Sequence, residues 1–275
     1  MTEIRIIGPR SSGKTTYLAA LAAFPHKTQF PGLEVQPVEE SAENLVAMAE
    51  NILKQGGRLP PNDLGNEPFY RFYIKIPPTK GWSKTTIIDL SAKDYAGEIF
   101  EDIAKPYRWN KVESYVKDLL GVQGLMIMLT DWEPENDTRI YKPVFERLWQ
   151  EISDGQRITP VIQKLRIAVV MAKCERGELW PGRLDPGEDL FKVRLPETYH
   201  FLTTKVPSPR LQFFACSSFG VLGRRNPRPN RRSSGDGTLA EYNAILRKPS
   251  VWRPYGILGP IYWLSTGRVL HDQHL

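Results

Sequence analysis

Apolar residues fall along this chain in two rhythms. Short continuous or alternating runs predict strands at Ile4 to Ile7, Phe69 to Ile76, Lys84 to Lys93, Leu125 to Leu129, Leu165 to Met171 and Leu211 to Ala215. Between them, apolar positions recur at helical spacing. Thr16 to Ala23 predicts a first helix, ending near Phe24-Pro25. Leu45, Met48, Ala49, Ile52 and Leu53 predict a second, with Ser41 as N-cap and Gly56-Gly57 closing it. Further helices are expected over Ile99 to Ala104, Trp109 to Leu120 and Asp137 to Ile152, and from Gly259-Pro260 onward. The second and third runs flank a turn at Pro77 to Ser83 and read as an antiparallel hairpin. Strands apolar on both faces, alternating with helices, predict an α/β fold: a mostly parallel mixed sheet with one antiparallel hairpin strand and helices on both faces. No linker separates two cores, so residues 1–275 read as a single domain. A mobile Arg/Pro/Gly-rich loop is expected at 223–237.

Composition narrows the class. The net charge of +6 owes most of its excess to Arg224, Arg225, Arg228, Arg231 and Arg232, crowded into that one stretch. A nucleic-acid-binding face is therefore not required by the sequence. No apolar run reaches the roughly 18 residues of a membrane-spanning helix. The first strand begins almost at once, so no signal peptide is expected. Cys174 and Cys216 are too few for a disulfide framework, so a reducing, cytoplasmic location is expected.

One stretch carries the chemistry. Gly8-Pro9-Arg10-Ser11-Ser12-Gly13-Lys14-Thr15 fits G-x-x-x-x-G-K-[ST] and lies between the first strand and the first helix, the context a phosphate-binding loop needs. Gly8 and Gly13 let the backbone curl so that N–H groups of Arg10, Ser11, Ser12 and their neighbours through Thr16 face phosphate oxygens. The helix N-terminus adds to that field. Lys14 is expected to reach the β- and γ-phosphates, and the Thr15 hydroxyl to hold Mg²⁺. A second Mg²⁺ group must come from a nearby strand end. Asp94 shares its pleat face with Ile88, Leu90 and Ala92, whereas Asp89 points to the other face, so Asp94 is preferred. Gly97 then completes D-x-x-G, whose backbone N–H can meet a γ-phosphate. At two later strand ends, Lys173 is placed along a base and sugar, and Glu175 as acceptor for guanine N1 and N2. The backbone N–H groups of Ser217 and Ser218 are placed near guanine O6.

In this order, the motifs resemble the P-loop NTPase G domain of the translation-factor-related GTPase class. The phosphate loop matches at Gly8 to Thr15 and D-x-x-G at Asp94 to Gly97. N/T-K-x-D is approximated by Ala172 to Glu175, and the small fifth element by Cys216 to Ser218. More narrowly, the chain resembles the bacterial double-GTPase group of predicted conflict and defence gene clusters. That likeness rests on Gly8 to Leu18, Gly57-Arg58-Leu59-Pro60-Pro61, Asp94-Tyr95-Ala96-Gly97-Glu98-Ile99-Phe100 and Pro260-Ile261-Tyr262-Trp263-Leu264. The resemblance implies GTP/GDP and Mg²⁺ as ligands, effector or regulatory proteins as partners, and a regulatory switch with slow hydrolysis. Departures bear on that function. Ala172 replaces Asn or Thr, Glu175 replaces Asp, Glu98 stands where small GTPases orient water with Gln, and Asn62 stands where the narrower group has Thr. Lys14, Asp94, Gly97 and Glu98 form the expected catalytic set. Two alternatives stay open: a P-loop kinase or ATPase with Arg224 to Arg232 as a lid, and a nucleotide-bound scaffold without turnover.

Overall fold

The fold, taken from a computed structural model, is described for residues 2–23, 31–51, 53, 67–78, 84–155, 164–223, 225–233 and 244–270. The expected Gly57 to Pro61 element, Asn62 and the turn at 79–83 lie outside them. Seven strands form the main sheet: β1 (Thr2–Ile7), β2 (Glu34–Pro37), β3 (Phe69–Ile76), β4 (Thr86–Asp94), β5 (Gly124–Leu129), β6 (Arg166–Met171) and β7 (Leu211–Ala215). Their order is β2-β3-β4-β1-β5-β6-β7. β3 runs antiparallel to both its neighbours, and the pairs from β4 through β1, β5, β6 and β7 are parallel.

The pleat divides the core. Ile4, Ile6, Met126, Met128, Ala168 and Val170 face one side. There they meet α1 (Lys14–Ala22), α2 (Glu40–Glu50) and the C-terminal α7 (Leu258–Thr266). Ile7, Leu125, Ile127, Leu129, Ile167 and Val169 face the other. α3 (Gly97–Ile103), α4 (Trp109–Leu120), α5 (Lys142–Gly155) and α6 (Pro196–Lys205) cover that side. Adjacent residues buried on opposite faces explain the unbroken apolar runs. β1 lies between β4 and β5, and the chain leaves β1 into α1 on one face but leaves the neighbouring β4 into α3 on the other. That is the switch point where open α/β sheets bind ligands, beyond the carboxyl ends of the strands.

Three features depart from expectation. Helix α2 begins at Glu40 with Glu39 as N-cap, and the Ser41 hydroxyl instead donates to the Phe69 carbonyl, tying α2 to β3. Helix α6 has no counterpart in the apolar pattern. Its first turn is held by Asp137, whose carboxylate accepts from the Glu197 and Thr198 N–H groups at 2.8 and 3.0 Å. The segment expected as a mobile loop is strand over most of its described length. β8 (Val221–Gly223) pairs antiparallel with β9 (Asn226–Pro229), and β10 (Arg231–Ser233) with β11 (Ala244–Leu246). Asn230, fully buried between them, donates to the Lys248 carbonyl and accepts from the Lys248 N–H. That side-chain anchor outweighs the loop-like composition.

Candidate functional site

The site is built where β1 turns into α1. Ser11 and Gly13 both take left-handed backbone angles, with φ of 59° and 95°, and the loop curls so tightly that the Ser12 N–H donates to the Pro9 carbonyl at 3.3 Å. Gly8 passes so close to β5 that a Cβ there would lie 2.1 Å from the Met128 carbonyl oxygen. α1 opens at Lys14 without a side-chain cap or an acidic residue in its first turn, so its field is left for a ligand. Thr16 is half-buried in that turn. Lys14 is buried, and its ammonium donates to the Gly8 and Pro9 carbonyls at 3.0 and 3.2 Å. The Ser12 hydroxyl is buried and has no hydrogen-bond partner among the described residues.

Across this loop stands the end of β4. Residues Ile88, Leu90, Ala92 and Asp94 are buried in alternation, and Asp94 is wholly inaccessible. Its Oδ2 accepts from the Thr15 hydroxyl at 2.7 Å. Asp89 lies on the other face, where the Arg71 guanidinium bonds both carboxylate oxygens at 2.9 and 3.0 Å. Gly97 opens α3 against the loop, and a Cβ on it would lie 2.5 Å from the Arg10 backbone nitrogen. One residue on, Glu98 forms an ion pair with Arg10. The chain thus brings Arg10, Ser12, Lys14, Thr15, Asp94, Gly97 and Glu98 into one place.

This is a P-loop α/β fold. The nested loop between a central parallel strand and an uncapped helix decides it, together with an acidic strand end on the neighbouring parallel strand. No protein-family model and no curated protein matches the chain. Among solved structures, it is similar to the GTPase-like domain of Ski7 from S. cerevisiae with bound GTP: 14% identity over 79% of this chain and 42% of that one, with a TM-score of 0.40. The same domain bound to GDP and inorganic phosphate aligns at 16% identity over 79% and 43%, with a TM-score of 0.39. The Arl6 BBS3 small GTPase from Trypanosoma brucei, bound to the analogue GppNp, aligns at 14% identity over 79% and 87%, with a TM-score of 0.36. This protein therefore spans less than half of the Ski7 chains it matches. These superpositions are loose, and the fold assignment rests on the loop and sheet order.

At the ends of β6 and β7 the fourth and fifth elements meet, but not as expected. Glu175 is 1% exposed. Its Oε2 accepts from the Ser217 hydroxyl at 2.7 Å, and Arg231 lies 3.4 Å from its Oε1. The Ser217 N–H, expected near guanine O6, donates instead to the Tyr255 carbonyl at 2.9 Å, and Tyr255 donates back to Ser217. The Ser218 carbonyl accepts from the Trp252 indole N–H. Lys173, at a left-handed φ of 60°, sets its ammonium 4.3 Å from the centre of the Trp132 ring. Arg176 and Arg231 approach the same ring, at 5.6 and 5.7 Å, and Arg176 also bonds Asp131 at 2.7 Å. Trp132 and Arg231 escape the motif reading. Trp132 directly follows the β5 segment, and Arg231 sits in a stretch whose composition suggests a lid. Its guanidinium instead lies beside the end of β6, two strand positions from β1.

Among the described residues, no helix is long and apolar enough to cross a membrane. No group of three or more His, Cys, Asp or Glu is placed to hold a metal there either. Loop-bound Mg²⁺ needs fewer protein ligands, because phosphate oxygens and water complete its shell. The residues present fit such a group: a hydroxyl and a carboxylate already in contact, an unengaged buried hydroxyl, and an ammonium resting on loop carbonyls.

Proposed function

We propose that this protein is a GTP-binding regulatory switch that hydrolyses GTP slowly, working with partner proteins in a bacterial multi-protein conflict or defence system. The observation that carries the nucleotide reading is the Thr15–Asp94 contact beneath the left-handed loop. In this reading, backbone N–H groups between Arg10 and Thr16 cradle the phosphates. Lys14 exchanges its carbonyl partners for the β- and γ-phosphates, a stronger charge-assisted contact. Thr15 and Asp94 would hold Mg²⁺, which neutralises charge developing on the phosphate oxygens. Gly97, packed against the loop, is placed to sense a γ-phosphate through its N–H. Slow turnover follows from Glu98. Its carboxylate repels the γ-phosphate, and its ion pair with Arg10 orients it toward the loop rather than toward an attacking water.

Titration with GTP and ATP analogues, paired with multiple-turnover phosphate release, tests this reading. Guanine preference with slow Mg²⁺-dependent release is expected, and failure to bind any nucleoside triphosphate overturns it. A scaffold without turnover is the second reading, favoured by the same Arg10–Glu98 pair. Tight binding with no phosphate release selects it. The lid-bearing kinase or ATPase has less support, because Arg231 is engaged at Glu175.

A further inference from the structure

We infer that Arg231 reads the O6 edge of guanine in this protein, in place of the Ser217 backbone donor of the fifth element. The inference rests on the guanine-nucleotide reading above and names its specificity determinant. Three observations carry it. First, one of the two N–H groups expected at O6 is spent: Ser217 and Tyr255 exchange both their backbone hydrogen bonds, at 2.9 and 2.8 Å, which leaves that of Ser218. Second, the Arg231 guanidinium stands beside the Glu175 carboxylate, with Nη1 at 3.4 Å from Oε1. That is longer than the roughly 2.7–2.9 Å of a settled charge-assisted bond, and a guanidinium carries about five N–H donors, so donors remain for a ligand. Third, Arg231 is placed by the fold. Its hairpin pairs it with Leu246, the preceding residue, buried Asn230, is pinned to the Lys248 backbone, and Trp132 lies under the guanidinium at 5.7 Å.

A carboxylate and a guanidinium side by side form an acceptor next to a donor. Guanine offers the complement: N1–H and N2–H to the carboxylate, O6 to the guanidinium. Arginine is well suited to O6, as its contacts with guanine in nucleic-acid recognition show. Adenine reverses the pattern, with an N1 acceptor facing Glu175 and an N6 donor facing Arg231. Each residue therefore rejects it. Selectivity is carried jointly by Glu175 and Arg231, which stand 56 positions apart in the chain.

The test measures affinities of GDP, IDP and ADP for the full chain and for Arg231→Ala, Arg231→Lys, Glu175→Gln and Arg232→Ala, with thermal melts on each. Inosine keeps O6 and N1–H but lacks the N2 donors. Arg231→Ala should weaken GDP and IDP equally, by about tenfold to a hundredfold, while ADP changes little. Glu175→Gln should weaken GDP more than IDP. Arg231→Lys, which keeps a donor, should restore part of the loss, and exposed Arg232 should be neutral. An unchanged ratio of GDP to ADP affinity in Arg231→Ala overturns the inference while leaving guanine binding intact. Tighter GDP binding in that variant also overturns it, since Arg231 would then be a competitor for Glu175. A parent chain that binds no nucleotide fails at the earlier reading instead.

Discussion

Lys14 sets its side-chain amine in a buried place. Burial pushes its pKa below the usual lysine value, and Asp94, Glu98 and Glu101 pull it back up. The loop carbonyls that hold it do so less strongly than phosphate oxygens would. Replacing it with Ala should therefore abolish triphosphate binding and leave the fold intact, which calorimetric titration and circular dichroism can check together. Unchanged GTP and ATP affinity in Lys14→Ala would sink the phosphate-loop assignment. Two other residues lie at the ends of β6 and β7. Cys174 and Cys216 are free and buried, and burial raises both thiols well above the ordinary cysteine range. The thiolate is the reactive form. Neither should react with a thiol reagent in the native protein, and both should react in denaturant. Rapid labelling under native conditions would show that the Lys173 to Glu175 turn opens.

At the scale of the element, β4 separates two aspartates by pleat. Asp94 ends the buried row and touches Thr15, whereas Asp89 faces Arg71 across the β3–β4 pair. Asp94→Asn should weaken Mg²⁺-dependent binding or turnover, and Asp89→Asn should not. The reverse ranking, read by titration with and without Mg²⁺, would exchange their roles. Asp89 has a different signature. Hydrogen bonding from Arg71 lowers its pKa below the ordinary carboxylate value. A depressed folded pKa contributes stability that is fully present above the unfolded value of about 4 and is lost as pH falls through the folded one. Both side chains are about a third exposed, so solvent screening keeps the effect small. Thermal melts across that acidic range should show a component that is absent in Asp89→Asn.

For the whole molecule, the C-terminal helix is as much part of the core as the first one. Tyr17 of α1 donates its hydroxyl to the Ile257 carbonyl, and Arg166 at the start of β6 donates to the Leu264 carbonyl at 2.8 Å. Trp263 is 4% exposed and meets the Phe214 ring edge-on at 6.2 Å. Trp263→Ala should cost about 3–5 kcal/mol, by lost burial and the cavity left behind. Denaturant unfolding measures it, and a loss below about 1 kcal/mol would mean that α7 packs only loosely. Since α1 carries Lys14 and Thr15 and shares a core with α7, the same variant should weaken nucleotide binding when GdmCl brings it near its midpoint.

Local rules were enough for part of this. The sequence by itself determined the glycine-bearing loop between β1 and α1, because glycine spacing, a preceding apolar run and a following helix are all encoded within about twenty consecutive residues. It also determined the pleat face of Asp94, because alternation along one strand needs no partner. Strands β5 and β6 were legible as unbroken apolar runs, since each is buried on both faces. Tertiary structure alone decided the rest. Helix α6 depends on Asp137, about sixty positions earlier. The Arg-rich stretch becomes strand because Asn230 is buried against Lys248. The Ser217 N–H is lost to Tyr255, and Glu175 gains Arg231 as a neighbour, through pairings that no local pattern records. Motifs that act through contiguous backbone are written in consecutive residues. An edge made of separate side chains, such as Glu175 beside Arg231, exists only once the fold has brought them together.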